Sequence, residues 1–454
     1  MTDAETIESQ RLEIAELRRQ LAEALKVIEE WRRGHRERPK RRSSRAEGAA
    51  SGAKQPTRKR GRPEGHKGSN RPVPDRIDGE VVHPHPATCS CGGVVEPDPS
   101  VEAQSTIVQD IPEVKVTNVR HVAPVGRCRS CRKAVAARLP GSSAIGDAAT
   151  KVQVGPNAQA LFTTLRFDHR VPYRGVSEIA RTWFGLSITP SGICQLLTRQ
   201  AARTASAYDA IGAHIRTSPV VGADETSLRE NGVSGYAWLV RTDSASLFRI
   251  ERSRGAWVID DMLGDGFQGV VCSDFYGAYT RRGDLPHGYC GAHMIREAKK
   301  IAEVSPTRET VRFSRRLGRL YRAGVAAQAS GDARIRDLVR ARFDRLAHAR
   351  RFADHADLAR LQSRIRNNFD GVTLFLDRPD VPFTNNATER DLRPIAVLRK
   401  ITGGTRSNAG SRTTQHWMSI TQTLHKNDLD LREWMRGAAD AHLTGTPPPP
   451  TIRC

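Results

Sequence analysis

The first 31 residues repeat their apolar positions with a heptad period. The residues at these positions are Ile7, Ile14, Leu17, Leu21, Ala24, Ile28 and Trp31. Apolar residues spaced by three and four along a helix form the seam of a coiled coil. Residues 1–31 are therefore predicted to be a coiled-coil helix through which the chain self-associates. Because Gln10 interrupts the seam, a single amphipathic helix packed on its own protein is the alternative.

Four short apolar runs typical of strands occupy residues 219–223, 236–240, 246–250 and 269–273. The first run ends at Asp224 and the last ends at Asp274, while the two between them follow at hairpin spacing. These runs predict a sheet in which two core strands each end in an aspartate. We assign residues 216–293 to the first part of an α/β core.

Helical patterns flank this sheet in the sequence. Within residues 146–215, a helical run through Ala180 meets Gly185, and a new helix opens at Pro190, which is a helix-turn-helix-like order. An ordinary helical hairpin is the alternative. Residues 294–380 are predicted to be an all-helical insertion whose basic faces could hold DNA or a partner protomer. Its two apolar stripes consist of Phe313, Leu317, Leu320, Tyr321, Ile335, Leu338, Val339, Phe343 and Leu346.

The formal net charge is +22, from 72 Lys or Arg and 50 Asp or Glu. An excess this large favours a polyanionic partner such as nucleic acid. The charge is concentrated: residues 32–71 hold 15 basic and 3 acidic side chains, and residues 294–380 hold 20 and 11. Neither region pairs its charge with a wide, aromatic-rich apolar face, so no membrane partner is expected.

The basic segment 32–74 is rich in Gly, Ala, Ser and Pro and is predicted to be a disordered linker. Within it, residues 58–63 read Arg-Lys-Arg-Gly-Arg-Pro, which resembles an AT-hook. In an AT-hook a flat, Gly-centred backbone enters a narrow A·T minor groove and two arginines lie along its floor. Arg60 and Arg62 are therefore predicted DNA contacts, and a solvated basic linker is the alternative.

Two short-spaced cysteine pairs lie within residues 75–145, and they are Cys89 with Cys91 and Cys128 with Cys131. Two such pairs can close a tetrahedral Zn²⁺ site, so this segment is predicted to be a small zinc-binding module. The first pair has one intervening residue rather than two, so His83 or His85 could replace one thiolate. Four buried free cysteines are the alternative.

The chain contains no run of 18 apolar residues, and its acidic start lacks the apolar stretch of a secretory signal. Its eight cysteines are too few for a disulfide scaffold of this length. These features predict a cytoplasmic protein.

Asp224 and Asp274 carry the strongest candidate chemistry. Brought together across a sheet, their carboxylates would repel each other unless a hard divalent cation neutralised them, and oxygen ligands suit Mg²⁺. A third acid completes sites in which two ions activate the attacking oxygen and stabilise the leaving one. Glu389 is the best third acid, and Arg393 shares its helical face. Arg390 or Arg393 would neutralise phosphate.

Four motifs in this order resemble the insertion-sequence 66 family of bacterial DDE transposases. They are Ala-Asp-Glu-Thr at 223–226, Ser-Asp-Phe-Tyr-Gly-Ala-Tyr at 273–279, Cys-Gly-Ala-His at 290–293 and Asn-Asn-Ala-Thr-Glu-Arg at 385–390. The resemblance covers nearly the whole chain. It implies an RNase H-like catalytic fold with a helical insertion before the last acid, resuming in residues 381–442. It also implies catalytic roles for Asp224, Asp274 and Glu389 in strand cleavage and transfer that depends on Mg²⁺ or Mn²⁺.

The patterns and the resemblance together predict a multidomain α+β transposase, cytoplasmic in a bacterium and nucleoid-associated when DNA-bound. It would bind double-stranded DNA, both element ends and target, as a homodimer or higher oligomer, and a need for accessory proteins stays open. One alternative is a non-catalytic zinc-containing DNA-binding regulator. The other is an RNase H-like nuclease that cuts without joining.

Three further segments carry weaker predictions. The basic stretch that contains Arg406, Arg412 and His416 is predicted to contact DNA, with a solvated loop as the alternative. Cys290 and His293 are interpreted as a structural pair near the active site rather than a metal pair. Residues 443–454, which include four consecutive prolines, are predicted to be a disordered tail.

Overall fold

The computed structural model of the protein describes residues 71–137, 139, 152–281, 283 and 285–453. The predicted coiled coil and the AT-hook-like motif lie outside these residues. The chain divides into two compact units, Met1–Gln109 and Asp110–Cys454. Across the described ranges, no helix is long and apolar enough to cross a membrane.

A five-stranded mixed sheet forms the centre of the second unit. A separate antiparallel pair precedes it, made of β1 (Gly126–Arg127) and β2 (Ala134–Val135). The five strands are β3 (Val220–Glu230), β4 (Val233–Arg241), β5 (Ser246–Glu251), β6 (Val270–Ser273) and β7 (His287–Tyr289). Their spatial order is β5-β4-β3-β6-β7. The first three strands pair antiparallel, whereas β6 runs parallel to both β3 and β7.

The turn between β3 and β4 explains why they form a long hairpin. Asn231 and Gly232 both adopt positive φ, at 49° and 80°. A two-residue Asn-Gly turn of this kind matches the twist of the flanking strands. The strands predicted from the four apolar runs are thus confirmed, and the fold is mixed α+β as expected.

Helices precede and interrupt the sheet. They are α1 (Pro156–Thr163), α2 (Tyr173–Phe184), α3 (Pro190–Arg203), α4 (Ala205–Arg216), α5 (Trp257–Leu263) and α6 (Gly277–Thr280), with a π-helical stretch at Thr164–Asp168. α2 ends at Gly185 in the left-handed conformation, at φ 66°, and the Thr189 side chain caps α3 by accepting from the backbone N–H of Gly192. The predicted helix, glycine turn and proline-started helix are therefore present. Their role in DNA recognition stays a prediction.

The predicted insertion is helical. Its members are α7 (Gly291–Val304), α8 (Arg308–Ser330), α9 (Ala333–Ala347), α10 (Ala356–Asn367) and α11 (Phe369–Thr373), with 3₁₀ turns at Arg350–Phe352 and Leu374–Leu376. The expected second apolar stripe is only half buried, because Ile335 and Leu338 are 44% and 48% exposed. Only the later part of α9, from Val339 onward, contributes buried apolar side chains.

Three helices complete the chain, namely α12 (Asn386–Thr402), α13 (Asn408–Lys426) and α14 (Leu431–Thr444). The tail that composition predicts to be disordered is instead packed against α14. The Trp434 indole N–H donates to the carbonyl of Pro449 at 2.9 Å, and the Pro449 ring lies against Gly437. Thr451 is buried as well. Gly437 leaves room for the Pro449 ring, and a contact between residues this far apart in the chain cannot be predicted from composition.

The sheet separates two hydrophobic cores. On β6, Val271 belongs to the core that includes α1–α4, α13 and α14, whereas Val270 and Cys272 belong to the core of the α7–α11 helices. Successive strand residues point to opposite faces, so one short strand anchors both cores. The residues at the end of this strand are consequently held from both sides.

Candidate active site

The structure brings Asp224 and Asp274 together. In the parallel pairing of β3 with β6, Gly222 lies opposite Cys272. Each aspartate follows its member of that pair by two residues, so the two carboxylates leave adjacent strands at the same level. The aspartates therefore lie side by side as expected, but only β6 ends at this level: β3 continues past Asp224 to Glu230, paired with β4, so the expected strand end at Asp224 is not observed.

Glu389 reaches the same end of the sheet because α12 begins directly on β3. The Asn385 side-chain amide donates to the carbonyl of Ala223 at 2.8 Å, and its backbone N–H donates to Cys290 Sγ at 3.1 Å. Thr388 packs against Gly222, where a β-carbon would collide with the threonine hydroxyl. These contacts place the first turn of α12, which carries Glu389, beside Asp224.

Electrostatic coupling links the three carboxylates. Burial, together with the negative charges of Glu225, Asp274 and Glu389, raises the pKa of the Asp224 carboxyl to about 7. The backbone N–H of Glu225 donates to Asp224 Oδ1 at 2.9 Å and opposes this rise. A half-buried cluster of like charges of this kind is the environment in which a bound cation would relieve the repulsion between carboxylates.

Glu389 is ion-paired with a residue that the sequence did not single out. Arg296 on α7 donates to Glu389 Oε1 at 2.7 Å, and the His293 imidazole lies 3.6 Å from the same oxygen. Cys290 is buried, and its sulfur accepts the Asn385 N–H. Cys290 and His293, which were interpreted as a structural pair, therefore have different surroundings. Cys290 holds the start of α12, whereas His293 faces the candidate catalytic carboxylate of Glu389.

Glu225 forms a second network that the sequence did not reveal. It follows Asp224 in β3 and so points to the other face of the sheet. Arg254 donates to Glu225 Oε1 at 2.6 and 3.0 Å, and the Tyr279 hydroxyl donates to Oε2. The guanidinium carbon of Arg254 also lies 3.9 Å from the centre of the Tyr276 ring. The only sequence signal for Glu225 is its place in the Ala-Asp-Glu-Thr motif directly after Asp224, and that motif assigns it no role.

The donor set suits a hard cation by its chemistry, since all three side chains supply carboxylate oxygens. Among the described residues, however, no group of three or more His, Cys, Asp or Glu is placed closely enough to hold a metal ion. Glu389 is directed to Arg296 instead. As the side chains stand, Asp224 and Asp274 are the pair available to a cation, and Glu389 would have to exchange its partner.

The structure describes only some of the arginines that are predicted to contact phosphate or DNA. Arg390, Arg393 and Arg406 are exposed, the first two on α12 beyond Glu389 and the third between α12 and α13. Arg60 and Arg62 lie outside the described residues. The exposed arginines are free to meet phosphate, and that role stays a prediction.

For His416, both the predicted DNA contact and the alternative of a solvated loop are wrong. His416 lies within α13, is 5% exposed, and pairs with the Thr204 hydroxyl at 2.9 Å. Its ring also stacks on Tyr208. The hydroxyl-rich face of α13 packs against the helices before the sheet, which takes the imidazole away from solvent.

This burial predicts a loss of stability in acid. Burial lowers the pKa of His416 to about 3, below the ordinary value of 6.5. The folded state therefore resists protonation that the unfolded chain accepts. Stability should fall as the pH drops below 6.5 toward 3, by up to about 1.4 kcal/mol per pH unit from this one group. Urea unfolding followed by tryptophan fluorescence at pH 7 and pH 5 measures this slope.

The variant His416→Gln keeps a hydrogen-bonding group but removes the titration, so its slope between pH 7 and pH 5 should be shallower. His348→Gln is the matched control, since His348 is exposed at the end of α9. Equal slopes for wild type and His416→Gln would refute the prediction.

The two cysteine pairs each sit in a local turn. In the first unit, Cys89 N–H donates to the carbonyl of Gly93 at 2.8 Å, and hydrogen bonds from Cys91 lower the pKa of the Cys89 thiol. In the second unit, Cys128 lies between β1 and β2 and its N–H donates to the carbonyl of Lys133 at 2.9 Å. Hydrogen bonds from Cys131 lower the pKa of Cys128. Each turn thus places a cysteine with a lowered thiol pKa beside a second cysteine.

The chain is similar to bacterial proteins of the transposase class. The model described as "Transposase IS66 family" matches residues 151–413, which include all three carboxylates. The chain belongs to the IS66 transposase family.

Three relatives from Sinorhizobium fredii illustrate the range of similarity. The chain is 30% identical to uncharacterized protein y4jO over 175 residues, or 38% of this chain and 51% of that protein. It is 23% identical to uncharacterized protein y4hP over 413 residues, covering 80% and 72%. Uncharacterized protein y4jD is 22% identical over 403 residues, covering 81% and 76%. The chain thus spans about half the length of the first relative.

Proposed function

We propose that this protein binds the ends of an insertion sequence and catalyses DNA strand cleavage and transfer. The observation that carries the proposal is that Asp224, Asp274 and Glu389 lie within electrostatic range of one another where β6 ends beside β3. Membership of a transposase family supplies DNA as the substrate. The order β5-β4-β3-β6-β7, with three antiparallel strands followed by two parallel ones, supports an RNase H-like core.

In this proposal, Asp224 and Asp274 hold Mg²⁺ or Mn²⁺ and Glu389 completes the site. When bound, such ions supply electrostatic stabilisation of charge on the phosphate that reacts. Arg296 leaves Glu389 and turns toward the phosphate, where Arg393 or Arg390 adds a second positive charge. Asn385 and Thr388 hold the start of α12 on β3 and so keep Glu389 in position.

Two displacements at phosphorus follow one another. Water attacks a phosphodiester at the element end, the bond to the 3′ oxygen breaks, and a 3′-hydroxyl and a 5′-phosphate result. That 3′-hydroxyl then attacks a phosphodiester of the target, forming a new bond as a target 3′ oxygen departs with a proton.

The protein acts in the bacterial cytoplasm, at the nucleoid when bound to DNA. Bridging two element ends calls for a homodimer or larger assembly. Arg60 and Arg62 would add minor-groove contacts.

A cleavage assay tests the proposal. Supercoiled plasmid carrying the two ends of the element that encodes this chain is incubated with the full-length protein in Mg²⁺, in Mn²⁺ or in EDTA. We expect cuts that map to the element ends in either metal and none in EDTA. Specific binding without cleavage in any condition would instead support the non-catalytic regulator.

We also propose that Cys89, Cys91, Cys128 and Cys131 bind structural Zn²⁺, with His85 as a substitute ligand. The support is the two turns, each of which presents two thiols with a lowered pKa on one member. Thiolates are the preferred ligands of structural zinc. A metal bound by such turns would give order to segments whose side chains are mostly exposed.

Metal content tests the zinc proposal. We expect at least about one zinc ion per chain of purified full-length protein by mass spectrometry. Replacing either pair by serine should lower the zinc content, whereas Cys194→Ser, at a half-buried cysteine in α3, should not. Unchanged zinc content in both double variants would refute the assignment.

A further inference from the structure

A basic groove lies between α7 and α8. It has a volume of about 850 Å³. Its cations are Lys299 on α7 and Arg315, Arg319 and Arg322 on α8, and its apolar lining includes Ile295 and Phe383. No acidic side chain lines it. We call these residues the α7–α8 groove.

The four cations are exposed and uncompensated. All four side chains are solvent-exposed. None of these side chains makes a hydrogen bond or ion pair with another described residue. Elsewhere in the same helical segment, Arg340, Arg360, Arg364 and Arg378 do pair with carboxylates. Four unpaired cations in one concave surface repel each other, so the groove favours an anionic occupant.

The spacing of the arginines fits a polyphosphate chain. Arg315, Arg319 and Arg322 are four and three residues apart, which places them on one face of α8. From first to last they span about 10 Å along the helix, at roughly 1.5 Å per residue. One DNA strand advances about 3.4 Å per nucleotide, so this span corresponds to roughly three phosphates.

The groove is connected to the candidate active site through shared elements. Phe383 lines the groove and lies two residues before Asn385, which holds α12 on β3. The carbonyl of Phe383 accepts from the N–H of Gly291 at 2.9 Å, at the start of the helix that carries both Arg296 and Lys299. A strand that leaves the three carboxylates along α7 therefore meets the groove.

We propose that the α7–α8 groove binds the sugar-phosphate backbone of the DNA strand next to the site of cleavage. The inference rests on the proposed function in taking DNA as the substrate, and it assigns the contact to a surface separate from the carboxylates. The contact reads no base sequence, because its charged groups face phosphates. It adds affinity that weakens as the salt concentration rises.

The salt dependence of binding tests the groove. Binding of the full-length protein to a fluorescent duplex of arbitrary sequence is measured by anisotropy without divalent cations, from about 50 to 200 mM salt. The triple variant Arg315→Gln, Arg319→Gln, Arg322→Gln should lower the slope of log K against log salt by about 2.7, or 0.9 per lost phosphate contact. The same positions changed to lysine should keep the wild-type slope.

The matched control removes the same charge elsewhere. Arg334, Arg342 and Arg345 on α9 are exposed and lie outside the groove, so their glutamine triple should change the slope by less than about one contact's share. If the groove triple melts early, Lys299→Gln alone should lower the slope by about 0.9. A groove variant with the wild-type slope, or equal losses in both triples, would overturn the proposal. A change in self-association with unchanged DNA binding would overturn it too, by indicating a second copy of the chain as occupant.

The salt-dependence test of the groove and the cleavage assay can fail independently of each other. A reduced slope in the groove triple, with no cleavage by the wild type in Mg²⁺, would keep the groove and reject the transposase reaction. Cleavage by the wild type, with an unchanged slope in the groove triple, would reject the groove alone.

Discussion

Asp224→Asn should reduce metal-dependent cleavage by about a thousandfold or more while leaving DNA binding close to wild type. The substitution keeps the shape of the side chain and removes the charge that would hold a cation. Loss of several kcal/mol of transition-state stabilisation corresponds to at least three orders of magnitude in rate. Asp274→Asn and Glu389→Gln should have effects of the same order. Cleavage is measured by the release of labelled strands, and binding is measured by anisotropy.

The same variant should be more stable than the wild type in the absence of metal. Burial and neighbouring carboxylates raise the pKa of Asp224 to about 7, so the folded state opposes its ionisation. The wild type is therefore penalised as the pH rises from about 4 to 7, and Asp224→Asn removes up to about 4 kcal/mol of this penalty at pH 8. Near pH 4 the difference should vanish, because the carboxyl is then protonated in the folded protein.

Asp209→Asn is the control for both measurements, since Asp209 is exposed on α4 away from the carboxylates. It should change neither cleavage nor stability. Normal cleavage by Glu389→Gln would reject the third-acid assignment. An Asp224→Asn protein less stable than the wild type at pH 8 would reject the repulsive cluster.

Gly222→Ala should disrupt the site from a position with no chemistry of its own. The added methyl would collide with the Thr388 hydroxyl and lie 3.1 Å from Asn385 Oδ1, so the start of α12 must move off β3. Overpacking of this kind costs about 1–3 kcal/mol of stability. A shift of about 1 Å in Glu389 would lower the cleavage rate by about a hundredfold. Thermal melting and cleavage assays measure the two effects.

A second substitution can make room for the methyl group. Thr388→Ala removes the clashing hydroxyl, so the double variant Gly222→Ala, Thr388→Ala should recover much of the stability and activity lost in Gly222→Ala. Thr388→Ala alone should cost about 1 kcal/mol, because its hydrogen bond to Asn385 is lost. If the double variant behaved no better than Gly222→Ala, the contact between β3 and α12 would not be what positions Glu389.

The sequence predicted the parts of the site that depend on local patterns. Apolar runs that precede Asp224 and Asp274 indicate two strands, and the parallel pairing of these strands puts the two aspartates side by side, although β3 does not end at Asp224 but continues to Glu230. Glu389 could be proposed as the third acid from its helical neighbours and from the resemblance, but its place beside β3 could not be predicted, because Glu389 lies 115 positions after Asp274 and most of the residues between them form a separate helical segment. Nothing in local periodicity relates α12 to β3.

The remaining features depend on contacts between residues far apart in the chain. The pairing of Arg296 with Glu389, and of Arg254 with Glu225, arises from packing that brings together one arginine among many. His416 looked accessible because it follows a basic, glycine-containing stretch, yet serine and threonine hydroxyls on α13 bond within the helix and to nearby strands. The packing of the tail was not predicted for the same reason, because Pro449 lies against Gly437 only in the folded chain.

Strand joining tests the central claim most directly. Labelled DNA carrying a precleaved element end with a free 3′-hydroxyl is incubated with the full-length protein, a target plasmid and Mg²⁺. We expect the label to become covalently joined to the plasmid with the wild type and with Asp209→Asn, and not with Asp224→Asn, Asp274→Asn or Glu389→Gln. Cleavage at the ends without any joined product would identify a nuclease. Joining that persists in all three carboxylate variants would contradict the active site described above.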